Sequence, residues 1–263
     1  MLALGLVLTA AGTAAAMPPQ GGNPAATAGK GGGGGGGKPS TRGFDISYPQ
    51  CGGAYPANPA FAIVGVNGGR VFSVNECLAS QITWGGGTAA ELYANTGNPG
   101  PELSSFWPTG QTAPRVCEAA DPDTADCAYD YGWNAAEHSF ESATAAYAEL
   151  QLAASPSATA WWLDVETMNS WRSDTALNVA ALQGAVDYLR SVGVTRLGVY
   201  STTVQWGTIT GGTQAFSALP SWGAGAPSEK VAKQHCASTA GFTGGRLAMV
   251  QYMWSGFDAD VRC

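Results

Sequence analysis

The sequence predicts an α/β protein folded as a (β/α)8 barrel of the TIM type, in a single domain whose β/α repeats need not all be regular. Apolar and β-branched runs alternate with segments of helical periodicity from Gly43 to Cys263, without a second linker. Polar residues also fall at or near the C-terminal ends of several strands, where barrel enzymes carry their chemistry. These are Asp45, Asn67, Asn95, Glu166, Tyr200 and Gln251. A doubly wound open sheet is the alternative, and this distribution favours the barrel.

Short apolar or β-branched runs predict the strands, and apolar residues that recur at i, i+3 and i+4 predict the helices. The expected strands cover residues 43–47, 61–67, 91–95, 159–166, 196–201, 221–225, 246–253 and, briefly, 257–260. Long helices are expected at 135–154 and 174–192, and shorter ones at 78–84, 204–209 and 229–237. The long stretch 96–128 is expected to be an elaborated loop on the catalytic face of the barrel, held by its own disulfide.

The N-terminal region predicts export. Residues 1–16 combine an apolar run with small residues and fit a signal peptide. Residues 17–42 are rich in Gly, Pro and Ala and predict a disordered linker, because they cannot bury enough apolar surface to fold. Residues 43–263 then form the barrel domain. No later stretch approaches the ~20 apolar residues that would span a bilayer. We therefore expect a secreted, extracellular protein, with association to the cell envelope left open.

The cysteines predict disulfides. There are six of them and only two histidines. An even number in an exported chain favours disulfides over metal ligation, and the spacings that form zinc sites do not occur. Proximity along the sequence and the expected topology favour the pairs Cys51–Cys77, Cys117–Cys127 and Cys236–Cys263.

The overall composition excludes some partners. A net charge of -7 argues against binding to nucleic acid or to anionic membrane surfaces, because both require a cluster of basic residues on the protein surface. Only 12% of residues are charged, while Gly numbers 37 and Trp 9, so neutral polar groups and aromatic rings must make most specific contacts. This composition suits a polysaccharide. We expect a monomer that binds a glycan and uses no cofactor or metal.

The segment 161–166 places two carboxylates, Asp164 and Glu166, inside an otherwise apolar run. Because side chains alternate along a strand, both acids share one face with Trp162. Burial of two neighbouring carboxylates disfavours ionisation of both, and such a pair can supply a proton donor and a stabilising anion. The alternative is that the run ends at the surface, where both acids are solvated or cap the following turn.

Two further acids complete a candidate constellation: Asp45 after the first strand and Asp258 near the C-terminus. The ordered motifs are Gly-Phe-Asp-Ile-Ser from residue 43, Leu-Asp-Val-Glu from 163, Gly-Val-Tyr-Ser from 198, Ser-Trp from 221, Val-Gln-Tyr from 250 and Asp-x-Asp from 258. This series resembles the family-25 glycoside hydrolases, which are secreted lysozyme-like muramidases. It is similar, more closely still, to an actinobacterial branch of glycoside-hydrolase-like barrel domains.

The resemblance implies a barrel in which Glu166 is the general acid and Asp164 its electrostatic partner. Asp45 and Asp258 would then lie beside the anomeric centre. Glycoside hydrolysis requires the same arrangement, a protonated acid at the leaving oxygen and an anion near the developing positive charge. The residues expected to contact the glycan are Asn67, Asn95, Trp133, Trp171, Tyr200, Trp222 and Gln251. For each tryptophan, packing under a loop is the alternative to stacking on a sugar.

The chain also departs from the muramidase pattern. The third strand carries Leu-Tyr-Ala-Asn-Thr from residue 92, where those enzymes usually have a Tyr-His-aromatic element, and the insertion 96–128 lacks a clear counterpart. The sequence therefore predicts a glycosidase that cleaves a cell-wall or environmental polysaccharide, peptidoglycan being one candidate. A non-catalytic, glycan-binding barrel of the cell envelope is the alternative.

Overall fold

Eight strands close into one barrel in the computed structural model, which describes residues 41–238 and 240–263. The strands are β1 (Gly43–Ile46), β2 (Ala62–Gly65), β3 (Glu91–Asn95), β4 (Trp161–Asp164), β5 (Leu197–Ser201), β6 (Ser221–Ala226), β7 (Leu247–Trp254) and β8 (Phe257–Arg262). Each strand pairs with its neighbour in chain order, and β8 closes the barrel on β1. The predicted barrel is confirmed, and the open-sheet alternative is wrong.

Within the described residues, five α-helices pack around the strands: α1 (Leu78–Trp84), α2 (Ala125–Glu149), α3 (Thr175–Ser191), α4 (Thr203–Thr210) and α5 (Glu229–Ser238). All five were predicted, but α2 begins earlier than the expected residue 135 and ends before the expected residue 154. Its start is set by Thr124, whose side chain accepts a hydrogen bond from the Cys127 amide. Shortly after its end, Gln151 adopts a left-handed backbone conformation with a φ of 54°, which an α-helix cannot contain.

The barrel departs from a regular eightfold repeat at its first and last strands. Among the described residues, no α-helix lies between β1 and β2, where Tyr48–Gln50 forms a 3-10 turn. A tight hairpin joins β7 to β8, so β8 runs antiparallel to both β7 and β1. As a consequence, the first residues of β8 lie at the same end of the barrel as the C-terminal ends of the seven parallel strands. This end is called the barrel mouth below.

Alternation along the strands separates two apolar layers. Outward side chains of the strands, such as Val64, Leu92 and Trp161, pack against the helices in the main core. Inward side chains form a second cluster inside the barrel, made of Ile63, Trp162, Trp222 and Met249. The prediction that Trp161 serves packing is confirmed, since it is fully buried under the helices.

Two glycines let α2 and α3 approach closely. A Cβ atom added at Gly132 would lie 1.8 Å from the carbonyl oxygen of Ala181, and one added at Gly184 would lie 2.0 Å from that of Tyr129. We expect Gly132→Ala to lower the free energy of unfolding by about 1–3 kcal/mol or more, because the backbone of α3 must move away. Gly207→Ala in α4 is the matched control: its Cβ would meet nothing, and alanine favours the helix. Urea unfolding measures both, and an equal effect of the two substitutions would contradict this account.

Three disulfides are present, and all three are the predicted pairs: Cys51–Cys77, Cys117–Cys127 and Cys236–Cys263. The second ties the long β3–α2 insertion to the first turn of α2, and the third ties α5 to the end of β8. The predicted signal peptide 1–16 and residues 17–40 of the predicted linker lie outside the described residues. Within the part of the chain that is described, no helix combines the length and the hydropathy needed to cross a bilayer.

Candidate active site

Four acids converge at the barrel mouth. Asp45 lies on β1, Asp164 ends β4, Glu166 follows β4, and Asp258 lies near the start of β8 directly opposite Asp45. Their charges act on one another: Asp164 is influenced by Glu166 and Asp45, and both Asp45 and Glu166 by Asp258. Asp45 and Asp164 are buried, at 8% and 3% exposure, whereas Glu166 and Asp258 are half-buried. The structure thus brings together all four acids that the sequence singled out.

Asp164 and Glu166 form a hydrogen-bonded carboxyl pair. One carboxyl oxygen of Asp164 accepts a hydrogen bond from the Asn95 side-chain amide at 2.5 Å. The other, Oδ1, has no N–H or hydroxyl donor among the described residues. A buried carboxyl oxygen that faces only another carboxyl is satisfied when the two groups share a proton.

Burial decides which member of this pair binds the proton more tightly. Burial, and then the charge of Glu166, raise the pKa of Asp164 well above its ordinary value. The pKa of Glu166 is also raised by burial, but a hydrogen bond from Gln205 opposes the rise. The sequence predicted Glu166 as the protonated member and Asp164 as the anion, and this assignment stays a prediction. Burial raises the pKa of both acids, and Asp164 lies deeper in the barrel.

A second carboxyl pair joins Asp45 to Asp260, which the sequence analysis did not assign to the site. Asp260 is fully buried and accepts a hydrogen bond from Trp222 Nε1 at 2.8 Å. Burial, and then the charge of Asp258, raise the pKa of Asp45 to about 7. The pKa of Asp260 is raised further by burial and by Asp45, so the proton of this pair resides on Asp260. Asp258 and Asp260 are two residues apart on one strand, and alternation alone would have placed both inside the barrel.

Neutral polar side chains hold the acids in place. The Tyr200 hydroxyl donates to Gln251 Oε1 at 2.9 Å, and Gln251 Nε2 donates to Asp45 Oδ2 at 3.0 Å. Asn95 donates to Asp164, as described above. These three residues were predicted to contact the glycan, and the structure places them among the acids at the barrel mouth.

The remaining predicted contact residues fall into two groups. Trp171 lies in the β4–α3 loop, where its indole N–H donates to the Glu166 carbonyl oxygen at 2.8 Å and steadies the backbone of that acid. Two others are buried and offer no surface to a glycan. Asn67 is bonded to the backbone amide of Asn95 and to Ser139, and Trp222 is 1% exposed beneath the acids. Trp133 is half-buried and packs from α2 against Tyr188 on α3, so its contact with a glycan stays a prediction.

Tyr93 is a further residue of the site that the sequence analysis passed over. It lies on β3 on the same face as Asn95, and its ring meets Trp222 edge to face at 6.2 Å. Burial raises the pKa of its hydroxyl well above the ordinary value, and the charges of Asp45 and Asp164 add to this. Tyr93 therefore stays neutral, close enough to the acids to be influenced by the charges of both Asp45 and Asp164.

A groove of about 470 Å³ is lined in part by residues 168–170 of the loop that carries Glu166. One wall is this β4–α3 loop, and another is the β3–α2 insertion. The groove exposes apolar side chains, including Met168 at 93%, Leu103 at 78% and Phe106 at 54%. Hydroxyl groups of serines and Tyr131 and the cation of Arg70 also line it. An extended polar ligand with apolar faces would fit such a lining.

Fold and site together define a barrel protein that distantly resembles the family-25 glycoside hydrolases, and comparisons with known proteins confirm that resemblance. A family model described as "Lysozyme-like protein 1" matches residues 133–242, a stretch that includes Asp164 and Glu166. A protein of Dictyostelium discoideum described as probable GH family 25 lysozyme 4 is 41% identical over 61 residues. That match spans 23% of this chain and 28% of the length of the relative.

Solved structures share the fold over most of the chain. A muramidase from Trichobolus zukalii superposes with a TM-score of 0.50 at 18% identity, covering 85% of this chain and 94% of that structure. The lysozyme of Streptomyces coelicolor gives a TM-score of 0.51 at 16% identity, covering 84% of this chain and 91% of that structure. At these identities the likeness establishes the barrel fold. Membership of the actinobacterial branch stays a prediction.

Proposed function

We propose that this protein is a glycoside hydrolase that cleaves the glycan of cell-wall peptidoglycan by carboxylate acid/base catalysis. The convergence of buried acids with raised pKa values at one barrel mouth carries the proposal. Among the described residues, none of these acids forms an ion pair. Uncompensated buried carboxyls destabilise a fold, and they are the groups that acid catalysis of glycoside cleavage requires.

The exposure of each acid suggests its role. Glu166 is the more accessible member of its pair and would donate the proton to the leaving oxygen, while Asp164 holds it in place through their shared hydrogen bond. Asp258 is more exposed than Asp45, so it ionises more readily and would stabilise positive charge at the anomeric carbon. Asp45 lies directly opposite Asp258 in the β1–β8 pair of strands. It would help Asp258 to stabilise this positive charge, and the hydrogen bond from Gln251 orients its carboxyl group.

The substrate and location follow from independent observations. The groove lined by residues 168–170 would hold the glycan chain and its substituents. The muramidase folds that this barrel resembles make peptidoglycan the first candidate. Three disulfides fit an oxidising compartment, so we place the protein outside the cell or at the cell envelope. A monomer remains our expectation.

The proposal predicts soluble reducing ends from purified peptidoglycan incubated with the full chain. Arabinogalactan, chitin and plant polysaccharides serve as the comparison, and none should release fragments at the same rate. Binding of each glycan is measured in parallel by co-sedimentation. Glycan binding without any product would refute hydrolysis and establish the non-catalytic binding barrel in its place.

A further inference from the structure

Positive charge is concentrated at the end of the barrel opposite the acids. The chain has 12 Lys and Arg residues and a net charge of -7. Four of these cations line one pocket of about 490 Å³: Arg190, Arg196, Arg246 and Arg262. One pocket thus holds a third of the cations of an acidic protein.

The topology fixes these arginines at one end. Arg196 and Arg246 immediately precede β5 and β7, and Arg262 is the last residue of the antiparallel β8. Arg190 lies in the last turn of α3, where it also complements the helix dipole. All four positions correspond to the N-terminal end of the parallel strands, so the pocket is called the basic floor below.

Internal contacts use only part of the hydrogen-bonding capacity of the basic floor. Arg262 donates to Glu91 Oε1 at 2.7 Å, and Arg196 donates to the Ala158 carbonyl oxygen at 3.0 Å. Each guanidinium has five N–H donors, so most remain available. Arg190 and Arg246 form no ion pair with any described residue.

Glu91 is the one acidic side chain among the described residues that line the pocket, and its charge is already paired with Arg262. It is 6% exposed, accepts a hydrogen bond from Trp162 Nε1 at 2.9 Å and pairs with Arg262. The side chains at the basic floor therefore carry an excess of positive charge even after this pair is counted.

Catalysis at the barrel mouth does not account for the basic floor. The buried layer that contains Trp162 and Trp222 fills the barrel between the two ends. A substrate at the acids would not reach the arginines through this layer, so binding at the barrel mouth does not explain why these arginines lie together.

We propose that the basic floor binds a phosphate group, either free or as the phosphodiester of an anionic polymer. Guanidinium groups pair with planar carboxylates and with phosphates, but arginines arranged around a pocket favour a tetrahedral group whose oxygens accept from several of them at once. The exposed positions of the arginines give a polymer open access. The site is independent of the acids and of the proposed hydrolysis.

The test is calorimetric titration of the full chain with sodium pyrophosphate and with poly(glycerol phosphate) at low ionic strength. We expect both to bind, with affinity that falls as salt is added, and pyrophosphate to raise the melting temperature. The double variant Arg196→Gln/Arg246→Gln should lose at least about tenfold in affinity, since two charge-assisted donors are removed. Tighter binding of the polymer than of pyrophosphate would identify a phosphodiester chain as the ligand, and the reverse would identify free phosphate.

Arg70→Gln/Lys230→Gln is the matched control, because it removes two exposed positive charges that lie outside this pocket. This variant should bind pyrophosphate and poly(glycerol phosphate) within about twofold of the wild-type affinity. Glu166→Gln should bind both ligands as the wild type does. Polygalacturonate, a polymer of carboxylates, should bind more weakly than poly(glycerol phosphate). No binding by the wild type, equal losses in the two double variants, or equal binding of the carboxylate polymer would each overturn the proposal. Melting temperatures near that of the wild type confirm that both double variants are folded.

Discussion

Glu166→Gln is expected to lower kcat on peptidoglycan by at least about 10³-fold, because an amide has no proton to give to the leaving oxygen. Glutamine matches glutamate in size, and its amide group contains both a donor and an acceptor, so it can keep the hydrogen bond with Asp164. The fold and the affinity for glycan should therefore remain. Initial rates of reducing-end release measure the loss, and circular dichroism with co-sedimentation measures what is retained.

The control for this substitution is Glu149→Gln, which makes the same chemical change at an exposed residue at the end of α2. It should hydrolyse peptidoglycan at the wild-type rate. If Glu166→Gln also kept near wild-type turnover, Glu166 would have no part in the mechanism. The proton would then have to come from Asp164, which is almost fully buried.

Strand periodicity made the core of the site predictable. A period of two places Asp164 and Glu166 on one face, and the expected closure of the barrel brings Asp45 and Asp258 to the same end. The same rule, applied to Asp258 and Asp260, would have found the fifth acid. It also places Tyr93 beside Asn95, so these two omissions came from incomplete use of a signal that the sequence contains.

Other features depend on how deep a side chain lies in the barrel and on the register of the strands. The periodicity of the sequence gives neither. Trp222 faces the barrel interior as alternation requires, but it lies beneath the acids and not above them, so it supports Asp260 and offers no face to a sugar. Asn67 lies beyond the end of β2 and turns towards Ser139 on α2, a contact between elements distant in sequence. The order of proton affinity within the Asp164–Glu166 pair likewise follows from relative burial.

The stability of the protein is expected to fall as pH rises from about 5 to about 8. The pKa of Asp45 is about 7 in the folded protein against 3.8 when exposed, so between these values the folded state keeps a proton that the unfolded chain releases. This contribution is fully present below the unfolded pKa and is lost as pH rises through the folded pKa. For Asp45 alone it amounts to roughly 3 kcal/mol across this interval. Urea unfolding at the two pH values measures it.

Asp260→Asn should weaken this pH dependence and make the protein more stable than the wild type at about pH 8. The new amide oxygen can still accept from Trp222 Nε1. Asparagine has no proton to release on unfolding, so the contribution of the raised pKa of Asp260 to the pH dependence disappears. Asp121→Asn, at an exposed acid in the β3–α2 insertion, is the control and should retain the wild-type slope. An unchanged slope in Asp260→Asn would mean that Asp260 does not keep a proton in the folded protein over this pH interval.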